Sequence, residues 1–170
     1  QKEPEKKAGV DRIDHQAVSN LPHQPFLVLE NSFRLNSSYG QIPISLGLNI
    51  PGQVLHLLSR DKAFKELSLD GAVFIDLETT GLAGGTGTTP FLIGLGFFDQ
   101  EAFKVVQFFL NDLAAEFKML GELLELLQER KFTSVISYNG KGFDLPLLET
   151  RFTLNRLRCP LSDLPHLDFL

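Results

Sequence analysis

Phe74-Ile75-Asp76-Leu77-Glu78-Thr79-Thr80-Gly81 is the stretch whose reading decides the fold. It continues an apolar run from Ala72 and Val73 and closes in two acids, two threonines and a glycine. An unbroken apolar run bounded by turn residues reads as a buried strand. Side chains two apart on a strand share a face, so Asp76 and Glu78 point the same way, about 7 Å apart along the backbone. Two like charges there repel and lose hydration. A divalent cation removes that penalty, because hard cations take oxygen ligands. The plainer alternative is a strand end emerging into water, since a glycine-rich loop starts three residues after Glu78.

Working toward the C-terminus, residues 81–90 (Gly-Leu-Ala-Gly-Gly-Thr-Gly-Thr-Thr-Pro) form that loop. Residues 91–98 are too continuously apolar for a half-exposed strand, which predicts a central one. Asp99-Gln100-Glu101 turns into a further strand over 102–110. Leu113, Phe117, Leu120, Leu124 and Leu127 recur at helical spacing, with Asn111 or Asp112 as cap and Arg130-Lys131 at the negative end. A strand over 133–138, a helix over 144–155 with Pro146 in its first turn, and a fifth strand over 164–170 complete the pattern. The expected class is α/β: three antiparallel strands, then helix-connected parallel strands, in one mixed sheet with flanking helices.

Working toward the N-terminus, residues 69–170 are expected to form this core and 21–68 a small extension. The extension reads as short strands at 26–30 and 31–35, turn chemistry at 36–40, and short helices at 53–58 and 61–67. Residues 1–20 are polar and rich in Lys and Glu, and are expected to be a loose tail.

With 170 residues, 43% of them hydrophobic, the chain is large enough for one domain with a real core. Fifteen Phe, two Tyr and no Trp point to aromatics that fill interior space. Cys159 is the single cysteine, which excludes an intrachain disulfide or a cysteine zinc site and is compatible with a reducing cytoplasm. No apolar stretch is long enough to suggest a membrane span. The net charge of −5 argues against an indiscriminate nucleic-acid binder, but residues 130–158 carry six basic side chains against Asp144 and Glu149. Such a stretch is either a phosphate-facing patch or an ordinary solvated surface.

Asn139-Gly140-Lys141-Gly142-Phe143-Asp144-Leu145-Pro146 lies between a strand and a helix. Asp144 suits a helix N-cap, and Asn139-Gly140 suits a turn. If the strands ending near Leu77 and Tyr138 are neighbours, however, Asp144 faces Asp76 and Glu78 across one cleft.

These two motifs, Asp-x-Glu-Thr-x-Gly and Asn-x(3)-Phe-Asp, resemble those of the DEDD 3′–5′ exonucleases of the ribonuclease H-like superfamily. The longer patterns around them (Asp-Leu-Glu-Thr-Thr-Gly-Leu-x-Gly-Gly-Thr-Gly; Phe-Leu-Ile-Gly-Leu-Gly; Tyr-Asn-Gly-Lys-x-Phe-Asp-x-Pro-Leu-Leu-Glu-Thr-Arg) are similar to the YprB-like ribonuclease H-fold proteins. The resemblance implies a two-metal exonuclease acting on single-stranded DNA or RNA ends with Mg²⁺ or Mn²⁺. Asp76 would bridge both ions, Glu78 would hold the ion near the attacking water, and Asp144 would support the second. Such ions stand about 4 Å apart and clamp the attacking and leaving oxygens. Thr79, Thr80 and Leu82 would contact the terminal nucleotide, Asn139 would help hold the strand, and the stretch from Lys141 to Arg158 would meet phosphates. The family also carries a fourth acid on a helix after the fifth strand. The chain ends at Leu170, so the expectation is a C-terminally truncated domain, nearly inactive alone, in which Asp168 is structural or secondary to the site.

Two other classes compete. The glycine loop lacks the Lys-Ser/Thr of a phosphate-binding Walker motif. Against the Asp-x-Gly-Thr-Thr of sugar kinases and actin-like ATPases, Glu78 stands where the glycine would be. A non-catalytic module on the same fold, binding nucleic acid or a protein, remains the main alternative.

Overall fold

The computed structural model describes residues 24–81 and 87–170. The tail expected over 1–20, and Leu82 with most of the glycine loop, lie outside the described residues. Six strands form one sheet: β1 (Phe26–Arg34), β4 (Ala72–Thr79), β5 (Pro90–Asp99), β6 (Ala102–Leu110), β7 (Ser134–Ser137) and β8 (His166–Asp168). Their order is β1-β6-β5-β4-β7-β8, and β2 (Ser38–Tyr39) pairs with β3 (Ile42–Pro43) in a separate small ribbon. Strand β4 is antiparallel to β5, β5 to β6, and β6 to β1, whereas β4–β7 and β7–β8 are parallel. The mixed sheet expected from the sequence is therefore present. Strand β1, read as part of an extension, supplies its edge.

The hairpin between β5 and β6 closes through Gln100, which takes a left-handed conformation (φ 49°) between the paired Asp99 and Ala102. Where two short strands were expected over 26–35, one continuous nine-residue strand forms. Glu30, Asn31 and Ser32 resemble a break, but they pair opposite Val106, Val105 and Lys104, and Lys104 Nζ meets Glu30 at 2.8 Å.

The sheet separates two apolar layers. On one face Val73, Ile75 and Leu77 of β4 pack with Met119, Leu120, Leu123 and Leu127 of α2 (Glu116–Arg130) and with Leu145, Leu148 and Phe152 of α3 (Asp144–Leu154). On the other face Ala72, Phe98, Ile136 and Leu167 meet Leu55 of α1 (Gly52–Ser59) together with Phe64 and Leu69. Phe74 stacks edge-on against Phe98 and Phe103 on this second face.

Of the apolar stripe expected for α2, Leu120, Leu124 and Leu127 pack into the core, and its N-terminal members do not. Leu113 and Phe117 are exposed, and the buried face is Ala115, Met119, Leu120, Leu123 and Leu127. The cause is a short 3₁₀ turn over Leu113–Ala115, capped by Asp112 accepting from the Ala114 N–H at 2.9 Å. The helix begins only at Glu116, which rotates the following residues relative to Leu113. Among the described residues no helix is long and apolar enough to cross a membrane.

Candidate functional site

Alternation along β4 turns Val73, Ile75 and Leu77 inward against α2 and α3, and leaves Asp76 and Glu78 exposed on the opposite face. Asp76 pairs with Gly94 and Glu78 with Leu92. Gly94 has no side chain, so no β5 side chain stands directly opposite Asp76. Strand register slips between Glu78 and Thr79. Beyond the slip Thr79 Oγ1 donates to the Gly81 carbonyl at 3.0 Å. The Thr80 N–H donates to the Thr89 carbonyl at 3.1 Å. The two ends of the glycine loop are thereby tied together.

The parallel pairing of β4 with β7 (Ala72 with Ser134, Phe74 with Ile136) brings the chain leaving β7 beside the acid-bearing end of β4. Asn139 is exposed and left-handed (φ 63°), Lys141 is exposed, and α3 then begins at Asp144. Asp144 is the first helical residue rather than the cap, and α3 has no side-chain cap hydrogen bond. The capping role that its position suggested is thus not the one it plays. Asp144 is 5% exposed. Burial, then the negative charges of Asp76, Asp168 and Glu78, push its carboxyl up to about 6. Four carboxylates separated by up to 92 positions (Asp76 to Asp168) are thus electrostatic neighbours at one end of the strands.

Sequence reasoning assigned Asp168 a structural or secondary role and missed its charge on Asp144. It ends β8, opposite Ser137 in the parallel ladder. Its Oδ2 accepts the Lys141 N–H at 2.8 Å. Burial works to raise its carboxyl, but the backbone N–H groups of Lys141, Asn139 and Leu170, with His166, hold it below the usual range. Beneath the loop, Ser137 Oγ and His166 Nε2 share a buried 2.7 Å hydrogen bond, and burial lowers the His166 pKa. No local sequence signal announced this pair, which forms across 29 positions.

Half of the six basic side chains over 130–158 are engaged within the molecule. Arg130 pairs with Asp99, Arg151 with Glu116 and Arg158 with Asp163. Lys141 is left as the basic side chain on the loop itself. Among the described residues, Asp76, Glu78 and Asp144 make no ion pair with a basic side chain. An all-carboxylate donor set of this kind suits a hard divalent cation such as Mg²⁺ or Mn²⁺. The spacing is not a ready-made cage: among the described residues, no three His, Cys, Asp or Glu side chains are placed to hold an ion.

Comparison with known proteins places this geometry. A family model described as RNase_H superfamily matches residues 73–170, from β4 through β8. The chain belongs to the ribonuclease H superfamily. The uncharacterized protein YprB of Bacillus subtilis (strain 168) is 38% identical over 114 residues, which are 66% of this chain and 27% of that protein. The matched segment therefore spans about a quarter of that relative's length. The superfamily match begins at Val73 and so covers every carboxylate of the cluster.

Proposed function

We propose that this ribonuclease H-like domain hydrolyses phosphodiester bonds at the 3′ ends of single-stranded DNA or RNA in a reaction that requires Mg²⁺ or Mn²⁺. The observation that supports it is the convergence on Asp144: burial, and then acids from β4 and β8, raise the carboxyl at the start of α3. Mutually repelling carboxylates without basic partners are what a site prepared for cations requires. Asp76, Glu78 and Asp144 would hold the metal, which when bound supplies an acidified water and neutralises charge developing on the phosphate.

The chain's own residues do the remaining work. Thr80 ties the two ends of the glycine loop together through Thr89, and Thr79, Thr80 and Leu82 would contact the terminal nucleotide. Asn139, exposed and left-handed on the β7–α3 loop, would help hold the strand. Lys141 offers a positive charge to a backbone phosphate, so binding weakens as salt rises.

The test supplies the full natural protein with Mn²⁺ or Mg²⁺ and single strands labelled at either end. Stepwise shortening from the 3′ end, abolished by EDTA and by Asp76→Ala, is the expected result. Shortening that persists in either condition overturns the reading. A second reading, a binding module without catalysis, is favoured by the absence of a ready-made metal cage among the described residues. Retention of single strands with no cleavage in any metal selects it.

A further inference from the structure

We propose that Asp168 is a positioning residue: it holds the β7–α3 loop from the side so that Asp144 stays at the acid-bearing edge of β4. The inference rests on the exonuclease reading of the site only for its effect on rate. The contacts that carry it are independent of that reading.

Strands β7 and β8 end side by side, and the Phe169 N–H donates to the Ser137 carbonyl at 3.0 Å. The chain then leaves β7, turns through Asn139 and Gly140, and presents the Lys141 N–H to Asp168 Oδ2. The Leu145 N–H donates back to the Gly140 carbonyl at 2.9 Å, which couples the loop to the first turn of α3. From below, the loop rests on Ser137. A Cβ on Gly140 would stand 2.5 Å from Ser137 Cβ and 3.1 Å from Asp144 Oδ2, so the backbone passes where a side chain has no room. Ser137 is in turn fixed by His166. The loop is therefore held between a rigid floor and a charged acceptor at its side. An ionised acceptor makes the stronger hydrogen bond to a backbone N–H, which explains a carboxylate here.

The geometry separates this role from metal ligation. Ile136 shares the Phe74 face, so Ser137 and its ladder partner Asp168 project from the other face, away from Asp76 and Glu78. Oδ2 is engaged by the Lys141 N–H, and the backbone N–H groups of Asn139 and Leu170 also stabilise the carboxylate. A carboxylate three residues from its anchor follows any movement of that anchor, and small misplacements of reacting groups are costly.

Asp168→Ala removes the acceptor, while Asp168→Asn keeps an oxygen for the Lys141 N–H and loses only the charge. Two readouts are taken on the full natural protein: amide exchange at Lys141 and steady-state cleavage of a 3′-labelled strand. In Asp168→Ala, Lys141 exchange should rise about tenfold or more as the loop opens locally. In the same variant kcat should fall about tenfold or more with KM within about twofold. Asp168→Asn should recover part of both and leave each between the Ala and the parent values, because a neutral oxygen accepts the same N–H more weakly. An Asn variant as impaired as Ala in both readouts overturns the proposal, because the charge and not the anchor would then matter. An Ala variant with unchanged exchange also overturns it. If Asp168→Ala does not fold, Gly140→Ala displaces the same loop with Asp168 intact, and an unchanged Lys141 exchange there overturns it too. If the parent protein cleaves nothing, the exonuclease reading falls alone, and the exchange readout still decides the role of Asp168.

Discussion

Arg151 of α3 clasps Glu116 at the first turn of α2: Nε lies 2.6 Å from one carboxylate oxygen and Nη2 lies 2.5 Å from the other. Asn155 Nδ2 adds a bond to the same carboxylate at 3.1 Å. This two-pronged ion pair ties together the helices that pack behind β4, and Glu116 is 7% exposed. Removing one partner leaves a buried charge uncompensated. Arg151→Met should therefore cost about 3–5 kcal/mol. Urea denaturation measures it, and a loss close to zero would show that water reaches Glu116 freely.

Asp144 makes the metal-free domain less stable at neutral pH than under mild acid. Its folded pKa, about 6, stands above the ordinary 3.8. Between those values the folded state holds a proton that the unfolded chain has released, so stability falls as pH rises through this window. Above it the penalty is complete, at most about 3 kcal/mol. In EDTA, Asp144→Asn should flatten the melting temperature between pH 4 and pH 7 (about the window set by these two values) and raise it at neutrality. Added Mn²⁺ should raise the melting temperature of the parent chain and not that of the variant.

Relief of the same repulsion extends to β4. With EDTA present, Asp76→Asn and Glu78→Gln should leave thermal stability unchanged or slightly raised, since each removes a negative charge facing Asp144. A drop of several degrees in the melting temperature would mean that these acids support the fold.

Two glycines should respond oppositely to alanine. At Gly52, the first residue of α1, a Cβ would overlap the backbone carbonyl of Lys65, which cannot swing aside. Gly52→Ala should destabilise by about 1–3 kcal/mol through forced backbone movement. At Gly121, within α2, a Cβ meets nothing within 4 Å. Gly121→Ala should stabilise by about 0.4–1 kcal/mol, because the unfolded chain loses freedom and the helix gains a better former. Paired thermal melts decide both signs.

The strands and the acids of β4 were legible because their signals are local. The apolar run into Asp76, the turn at Asp99-Gln100-Glu101 and the Val- and Phe-rich run of 102–110 each sit within ten residues. The start of α2 was not legible, since a 3₁₀ turn at Leu113–Ala115 looks in sequence like more of the same helix. The burial of Glu116 was hidden for another reason: it depends on an arginine 35 positions away. Asp144 illustrates a residue whose local context misleads. An Asp ahead of Leu-Pro suits a cap, yet the helix starts one residue earlier than a cap there would allow. Asp168 could be placed on its strand but not in its contact, because the partner is a backbone N–H that becomes available only when β7 and β8 lie parallel.

The edge position of β1 has a consequence during synthesis. Phe26 pairs with Leu110 and Arg34 with Ala102, so β1, the first strand among the described residues, leaves the ribosome long before its partner strand is made. At elongation rates of about 5–20 residues per second, β1 waits for several seconds with its ladder groups open. Strands β5 and β6, joined by a tight turn, can pair almost as soon as they appear. Nascent chains stalled before residue 102 should therefore carry an unpaired strand and engage chaperones, and those stalled well beyond residue 110 should not.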